Sequence, residues 1–84
     1  MQIQVRLFAR YRELAGANLL EMDMPPGSSA LDVFDAVAAR YPAMVPMRNS
    51  TLMAVDADYV KPATVLQDNQ ELVLMPPVSG GTAC

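Results

Sequence analysis

The sequence predicts an α+β domain in which one main helix packs on one face of a four- to five-stranded mixed sheet. Three observations support this prediction. The chain has 84 residues with 52% hydrophobic content, enough for one packed core but not for two. Several short segments have the apolar periodicity of strands, and one longer segment has that of a helix. We therefore expect a single two-layer domain.

The first part of the chain predicts two strands joined by a short helical segment. Apolar and polar residues alternate over residues 3–7 and again over residues 20–24, as in half-buried strands. Between them, residues 9–16 suit a helical turn closed by a glycine. The Pro-Pro-Gly sequence at 25–27 ends the second strand, because proline lacks the amide donor that a sheet needs.

The main helix is predicted between Ser29 and Pro42. Ser29 is followed three residues later by Asp32, which resembles a capping box with Asp in place of Glu or Gln. Pro42 ends the helix, because the residue before a proline disfavours the helical conformation. Residues 42–50, which contain two prolines, are expected to form an irregular crossing. One apolar stripe at helical spacing lies between these limits: Phe34, Val37, Ala38 and Tyr41.

The second part of the chain predicts the remaining strands. Residues 52–55 form an apolar strand, 56–58 a turn, and 59–60 a short further strand. Residues 68–69, Asp-Asn, are a turn signal, and 71–75 form the last strand. Since the first and last strands are strongly apolar, we expect them to lie centrally and to pair in parallel. This order and length suit a ubiquitin-like β-grasp fold.

The composition excludes several classes of function. The chain has no histidine and one cysteine, so a metal site, a catalytic triad and a histidine acid–base pair all lack their components. A net charge of −3 without a basic stripe disfavours nucleic acid binding. No apolar stretch approaches the roughly 20 residues that span a membrane, and the N-terminal residues do not have the pattern of a signal peptide. We expect a cytoplasmic protein that is not an enzyme by itself.

The C-terminal segment is the part of the sequence that is most informative about function. The domain is expected to comprise residues 1–75, and residues 76–84 to form a flexible tail. Two prolines end the last strand, and the residues that follow include Gly80 and Gly81, which have no side chain to pack. A thin tail of this kind suits a narrow site in another protein.

With this tail and element order, the chain resembles the MoaD/ThiS family of ubiquitin-like sulfur carriers, most of all its members in molybdopterin synthase. The resemblance covers residues 1–81. The residues that carry it are Leu7-Phe8-Ala9, Arg12 to Gly16, Ala54-Val55-Asp56, Asp68 to Met75, and Pro76-Pro77-Val78-Ser79-Gly80-Gly81.

The resemblance implies a sulfur-carrier mechanism for the end of the tail. The carboxylate of Gly81, preceded by Gly80, is adenylated by a partner similar to ubiquitin-activating enzymes and is then converted to a thiocarboxylate. The tail enters the large subunit of molybdopterin synthase, expected to be a heterotetramer, where the sulfur passes to a pterin precursor in molybdenum cofactor biosynthesis. The chain binds no cofactor of its own, since ATP and the pterin precursor bind on the partners.

The residues Thr82-Ala83-Cys84 depart from this family pattern. They hold the carbonyl of Gly81 in an amide, which cannot be adenylated as a carboxylate can. Three explanations remain open. A protease cuts a precursor between Gly81 and Thr82; the three residues are a cloning remnant or belong to a form without carrier function; or Cys84 is itself a working thiol.

The resemblance also predicts residues that bind the partner proteins. One helix covers only one face of the sheet, so the other face is available for binding. For Phe8, Tyr59 and Met75 the alternative is a position in the core. The predicted partner-binding residues are Phe8, Tyr59, Met75, Pro76, Pro77, Val78 and Ser79.

Two other functions fit the same residues. The chain is a sulfur carrier for another pathway, such as thiamine, cysteine or secondary metabolite synthesis. Alternatively, it is a ubiquitin-like modifier whose tail is conjugated to lysines of other proteins.

Overall fold

A computed structural model describes residues 1–77, and within them the chain forms strands, two α-helices and a 3-10 helix. The strands are β1 (Gln2–Leu7), β2 (Leu19–Asp23), β3 (Leu52–Val55), β4 (Asp58–Val60) and β5 (Glu71–Met75). The helices are α1 (Arg10–Ala15), α2 (Ala30–Arg40) and the 3-10 helix Pro42–Met47. In this part of the chain, no helix is long and apolar enough to cross a bilayer.

The strands form one mixed sheet in the order β2-β1-β5-β3-β4. The central pair β1 and β5 is parallel, with Leu7 opposite Leu74, and every other neighbouring pair is antiparallel. The predicted two-layer α+β architecture and the central parallel pair are therefore confirmed. The first and last strands are neighbours in the centre of the sheet. The C-terminal segment therefore begins at the middle of the sheet and not at an edge.

The core lies between the sheet and α2. Alternate residues of β1 and β5 point into it, and helix residues three and four apart meet them from the other side. Full burial of each large apolar side chain stabilises the fold by about 1.5–3 kcal/mol relative to exposure. The side chains that are almost fully buried here include Ile3, Val5 and Leu7 of β1, Leu72 and Leu74 of β5, and Val33, Phe34 and Val37 of α2.

The capping box at the start of α2 is confirmed. The Ser29 hydroxyl oxygen accepts a hydrogen bond from the Asp32 amide at 3.1 Å, and the Ser29 amide donates to the Asp32 carboxylate at 2.9 Å. These two bonds satisfy amides that have no partner within the helix. At the other end, the Tyr41 amide donates to the Val37 carbonyl, and Pro42 follows.

The prediction of an irregular crossing at residues 42–50 was wrong in its first part. Pro42 starts a 3-10 helix, where its missing amide costs nothing, and Met44 is fully buried within it. The Met44 amide donates to Tyr41 at 2.9 Å, and the Arg48 amide donates to Val45 at 3.1 Å. These bonds span three residues, so the helix tolerates a second proline at a position whose amide is not used.

The predicted turns are present and have the required backbone conformation. Asp56 and Ala57 both have positive φ, as a two-residue turn between antiparallel strands requires. This turn is one residue shorter than predicted, since Asp58 already begins β4. Asn69 has φ +67°, a conformation that asparagine tolerates better than most residues.

Candidate functional site

The face of the sheet opposite α2 carries a row of side chains across four strands. Arg6 of β1 is paired with Val73 of β5, Val73 with Ala54 of β3, and Ala54 with Tyr59 of β4. Their chain neighbours Leu7, Leu74 and Met53 are buried in the core, so alternation turns the row to the open face. This row is therefore apolar on β5, β3 and β4 and charged on β1.

A shallow groove of about 250 Å³ lies on the apolar part of this face. We call its lining residues together with Phe8 the apolar patch: Ala54, Ala57, Tyr59, Val73, Met75 and Phe8. Phe8 directly follows β1, and its amide still donates a hydrogen bond to the Leu74 carbonyl of β5. Because Leu7 points into the core, alternation turns Phe8 to the open side. The patch gives a partner protein a continuous apolar contact surface.

The structure brings the three predicted partner-binding residues of the domain to this one surface. The Tyr59 side chain is 69% exposed and that of Phe8 is 44% exposed. Met75 is half-buried and lines the groove rather than the core. The geometry places all three where a partner can reach them, and their role in binding stays a prediction.

The sequence reasoning missed Ala54, Ala57 and Val73 as parts of the site. A signal for two of them was present, because β3 and β5 are apolar at successive positions and not only at alternate ones. A strand that is apolar on both faces needs cover on both faces. Since the sequence predicts one main helix, it also indicates that one apolar face of these strands stays open.

An ion pair borders the apolar patch on β1 and β5. The Arg6 guanidinium donates two hydrogen bonds to the Glu71 carboxylate, Nε to Oε1 at 3.2 Å and Nη2 to Oε2 at 3.1 Å. The hydrogen bond first, and the negative charge second, raise the pKa of Arg6. The pair therefore fixes a charged boundary directly beside Val73.

The C-terminal segment begins beside the patch. β5 ends at Met75, and Pro76 and Pro77 are exposed. The other predicted residues of the tail lie outside the described residues: Val78, Ser79, Gly80, Gly81 and Thr82, with Cys84 beyond them. What the structure shows is that the segment starts at the corner of the open face where the patch lies.

The arrangement suits docking. Within residues 1–77, no three His, Cys, Asp or Glu side chains lie close enough together to hold a metal ion. The groove lining is mostly apolar, so it offers contact area and no reacting group of its own.

A β-grasp domain with an open apolar face and a Gly-Gly segment leaving its central strand defines a ubiquitin-like carrier. The chain matches the ThiS family over residues 5–81 and belongs to that family. The resemblance predicted from the sequence is thereby confirmed.

Relatives match along nearly the whole chain. The molybdopterin synthase sulfur carrier subunit of Arabidopsis thaliana is 35% identical, with 96% of this chain and 84% of that protein covered. The protein of the same name from Chlamydomonas reinhardtii is 34% identical, with 96% of this chain and 100% of that protein covered. The protein of this name from Homo sapiens is 31% identical, with 95% of this chain and 94% of that protein covered.

Solved structures show the same fold. SAMP1 from Haloferax volcanii superposes with a TM-score of 0.83 at 24% identity, with 96% of this chain and 100% of that chain covered. Subunit 1 in a complex of subunits 1 and 2 of the molybdopterin-converting factor from Helicobacter pylori has a TM-score of 0.67 at 18% identity. That superposition covers 96% of this chain and 100% of the Helicobacter pylori chain.

Proposed function

We propose that this chain is the sulfur-carrier subunit of molybdopterin synthase, which donates sulfur from a thiocarboxylate on Gly81 to a pterin precursor. The observation that carries the proposal is the match to proteins of that name at 31% to 35% identity along at least 95% of the chain. The chain is not an enzyme by itself. It is the sulfur-donating part of a complex whose other subunit holds the pterin.

The apolar patch is the proposed docking surface for the large subunit and for the adenylating enzyme. It lies at the corner where the C-terminal segment starts, and Met75 belongs to both. A partner that binds the patch therefore receives the segment at a defined position. The Helicobacter pylori structure, in which the corresponding subunit is bound to a second subunit, supports a partner of this kind.

The proposed chemistry depends on the length and thinness of the segment. Pro76 to Gly81 is six residues, which span roughly 20 Å when extended. Glycine has no Cβ, so the carbonyl carbon of Gly81 can approach ATP on the adenylating enzyme and then the pterin on the large subunit. Sulfur replaces the adenylate between these two steps. Both small molecules bind on the partners.

The residues after Gly81 require a cut before this chemistry begins. The carboxylate of Gly81 exists only after hydrolysis of its amide bond to Thr82, which we assign to a processing protease. The family match ends at residue 81 and excludes the last three residues, which supports Gly81 as the terminus that carries sulfur. A chain that carries Thr82-Ala83-Cys84 is therefore inactive as a carrier.

Intact mass tests the proposal directly. A chain ending at Gly81 is incubated with the adenylating enzyme, ATP and a sulfur source, and the full chain serves as the control. We expect the shortened chain alone to gain the mass difference between sulfur and oxygen. That product, mixed with the large subunit and the pterin precursor, should form molybdopterin. If the full chain supports the reaction equally well, the cleavage step is wrong; adducts on other proteins instead would indicate a modifier.

A further inference from the structure

We propose that Arg6 is a specificity-determining residue for the large subunit, and that its guanidinium binds a carboxylate of that partner. The inference rests on the proposed function and deepens it, because it names the chemical group that the partner presents to the open face of the sheet. Glu71 is then a positioning residue, since it acts on the partner only through Arg6.

Arg6 lies between apolar side chains on the open face. Val73 of β5 is paired with it on one side, and Leu19 of β2 on the other. Leu19 is exposed and its chain neighbour Leu20 is buried, so alternation turns Leu19 to the same face as Arg6. Phe8 follows two residues after Arg6, about 7 Å further along the chain. A partner that covers Phe8 and Val73 therefore also covers Arg6.

The ion pair with Glu71 uses one edge of the guanidinium and leaves the other edge open. Nε and Nη2 of Arg6 donate to the two carboxylate oxygens at 3.2 and 3.1 Å. A guanidinium has five N–H donors, so three remain, both of those on Nη1 and one on Nη2. Within residues 1–77, the Arg6 side chain makes no hydrogen bond besides these two. The outer edge, formed by Nη1 and Nη2, therefore offers two parallel donors to an incoming molecule.

Glu71 restricts the Arg6 side chain before the partner arrives. A free arginine side chain loses rotamer freedom when it is fixed in an interface, and this loss lowers affinity. The two hydrogen bonds to Glu71 already limit that freedom in the unbound chain. The outer edge is thus preorganised for its ligand.

A carboxylate fits this outer edge better than the other acceptors of a protein. Its two oxygens accept both parallel N–H bonds at once, whereas a carbonyl or hydroxyl offers one oxygen. The apolar side chains around Arg6 exclude water when a partner covers them, so donors without an acceptor would cost binding energy. Glu71 lies at the opposite edge of the guanidinium, so its repulsion of the partner's carboxylate acts over a longer distance than the attraction by Arg6. Arg6 therefore favours a large subunit with an aspartate or glutamate at this position.

A second arginine–carboxylate pair provides the matched control. Arg48 donates from Nε and Nη2 to the Asp35 carboxylate at 2.8 and 3.2 Å, the same side-on geometry as in Arg6 and Glu71. Both pairs are partly exposed. Asp35 belongs to α2, so its pair lies on the side of the sheet away from the apolar patch. The two pairs thus differ in the surface that they occupy and not in their chemistry.

The experiment removes both charges of each pair, so that the net charge of the chain stays constant. Chains ending at Gly81 are titrated with the large subunit by calorimetry at several salt concentrations, and urea unfolding shows that each variant folds. Arg6→Gln/Glu71→Gln should lower the affinity about 10- to 100-fold. Its affinity should also fall less steeply with salt than that of the unsubstituted chain, because an ion pair with the partner is lost. Arg48→Gln/Asp35→Asn should keep the affinity and the salt dependence of the unsubstituted chain.

Single variants locate the contact. Glu71→Gln keeps the guanidinium and an acceptor for it, so it should lose much less affinity than Arg6→Gln. A larger loss in Glu71→Gln would show that the partner presents a cation to Glu71, and the proposal would be wrong. It would also be wrong if the double variant at positions 6 and 71 bound more weakly with unchanged salt dependence, because the acceptor on the partner would then be neutral.

Binding of the unsubstituted chain separates failure of this inference from failure of the proposed function. If that chain binds the large subunit and Arg6→Gln/Glu71→Gln binds equally well, Arg6 does not set specificity and the proposed function stands. If the unsubstituted chain does not bind the large subunit, the proposed function and this inference fail together.

Discussion

The amide of Phe8 donates a hydrogen bond to the carbonyl oxygen of Leu74 at 3.3 Å. This bond extends the parallel pairing of β1 and β5 one residue beyond Leu7. It holds Phe8 beside the last residues of β5, where Met75 leads into Pro76. The apolar patch and the C-terminal segment therefore start from the same corner of the sheet, and we predict that a partner that receives the segment also contacts Phe8.

Removal of the aromatic side chains of the patch should weaken partner binding. Phe8→Ala and Tyr59→Ala each delete an exposed ring of the kind that dominates protein interfaces. We expect each to lower affinity for the large subunit about 10- to 30-fold, which corresponds to about 1.4–2 kcal/mol. Isothermal titration calorimetry measures the change.

The matched control for the patch is Val45→Ala. Val45 is 53% exposed on the 3-10 helix, which packs with α2 on the other side of the sheet. This variant should bind with unchanged affinity. An equal loss in all three variants would show that the effect does not come from the apolar patch.

The two phenylalanines of the chain should differ in their effect on stability. Phe34 is fully buried between α2 and the sheet, so Phe34→Ala should lower the free energy of unfolding by about 3–5 kcal/mol. Phe8 is exposed, and Phe8→Ala should change it by no more than about 0.5 kcal/mol. Urea unfolding followed by circular dichroism distinguishes them. A large loss of stability in Phe8→Ala would place that ring in the core.

The hydroxyl of Tyr11 links α1 to the 3-10 helix through Thr51, the residue before β3. It lies 2.8 Å from the Thr51 hydroxyl oxygen, and Thr51 donates its own proton to the Met47 carbonyl at 2.7 Å. Tyr11 is therefore the donor to Thr51. Tyr11→Phe should lower the free energy of unfolding by about 0.5–1.5 kcal/mol, the contribution of one such bond. Thermal unfolding measures it, and Tyr59→Phe, whose hydroxyl belongs to an exposed side chain, should have no effect.

The strands of the fold were predictable because polar, proline or turn residues mark where each apolar run begins and ends. β3 and β5 are short apolar runs bounded by polar or proline residues, and the structure gives both the predicted bounds. The 3-10 helix at Pro42–Met47 was missed for the opposite reason. Its two prolines are typical of a loop, and six residues are too few to show a helical period.

The site was predictable in part. Phe8 and Tyr59 are large apolar side chains next to turns, which marks them as candidates without knowledge of the fold. Ala54 and Val73 join them through strand pairing between distant segments, since β3 lies beside β5 and not beside β2. Pairing of this kind depends on the order of strands in the sheet, which one sequence does not specify.

The backbone at Ala9, the residue that follows Phe8, predicts a stabilising substitution. Ala9 has φ +52° and ψ −124°, a conformation that costs a residue with a Cβ on the order of 1–3 kcal/mol. Glycine avoids this cost. However, glycine also gives the unfolded chain more conformational freedom, which offsets about 0.5–1 kcal/mol of the gain in stability. Ala9→Gly should therefore raise the free energy of unfolding by about 1 kcal/mol.

The control for Ala9→Gly is Ala43→Gly in the 3-10 helix. Ala43 is also exposed but has an ordinary negative φ, so glycine there relieves no strain and should cost about 0.5–1 kcal/mol. The two alanine-to-glycine changes should thus have opposite signs in urea unfolding. Partner affinity should stay unchanged in both, because neither removes a side chain of the apolar patch. If Ala9→Gly destabilises the protein as much as Ala43→Gly does, then Ala9 does not hold a positive φ, and the turn that orients Phe8 has a different geometry.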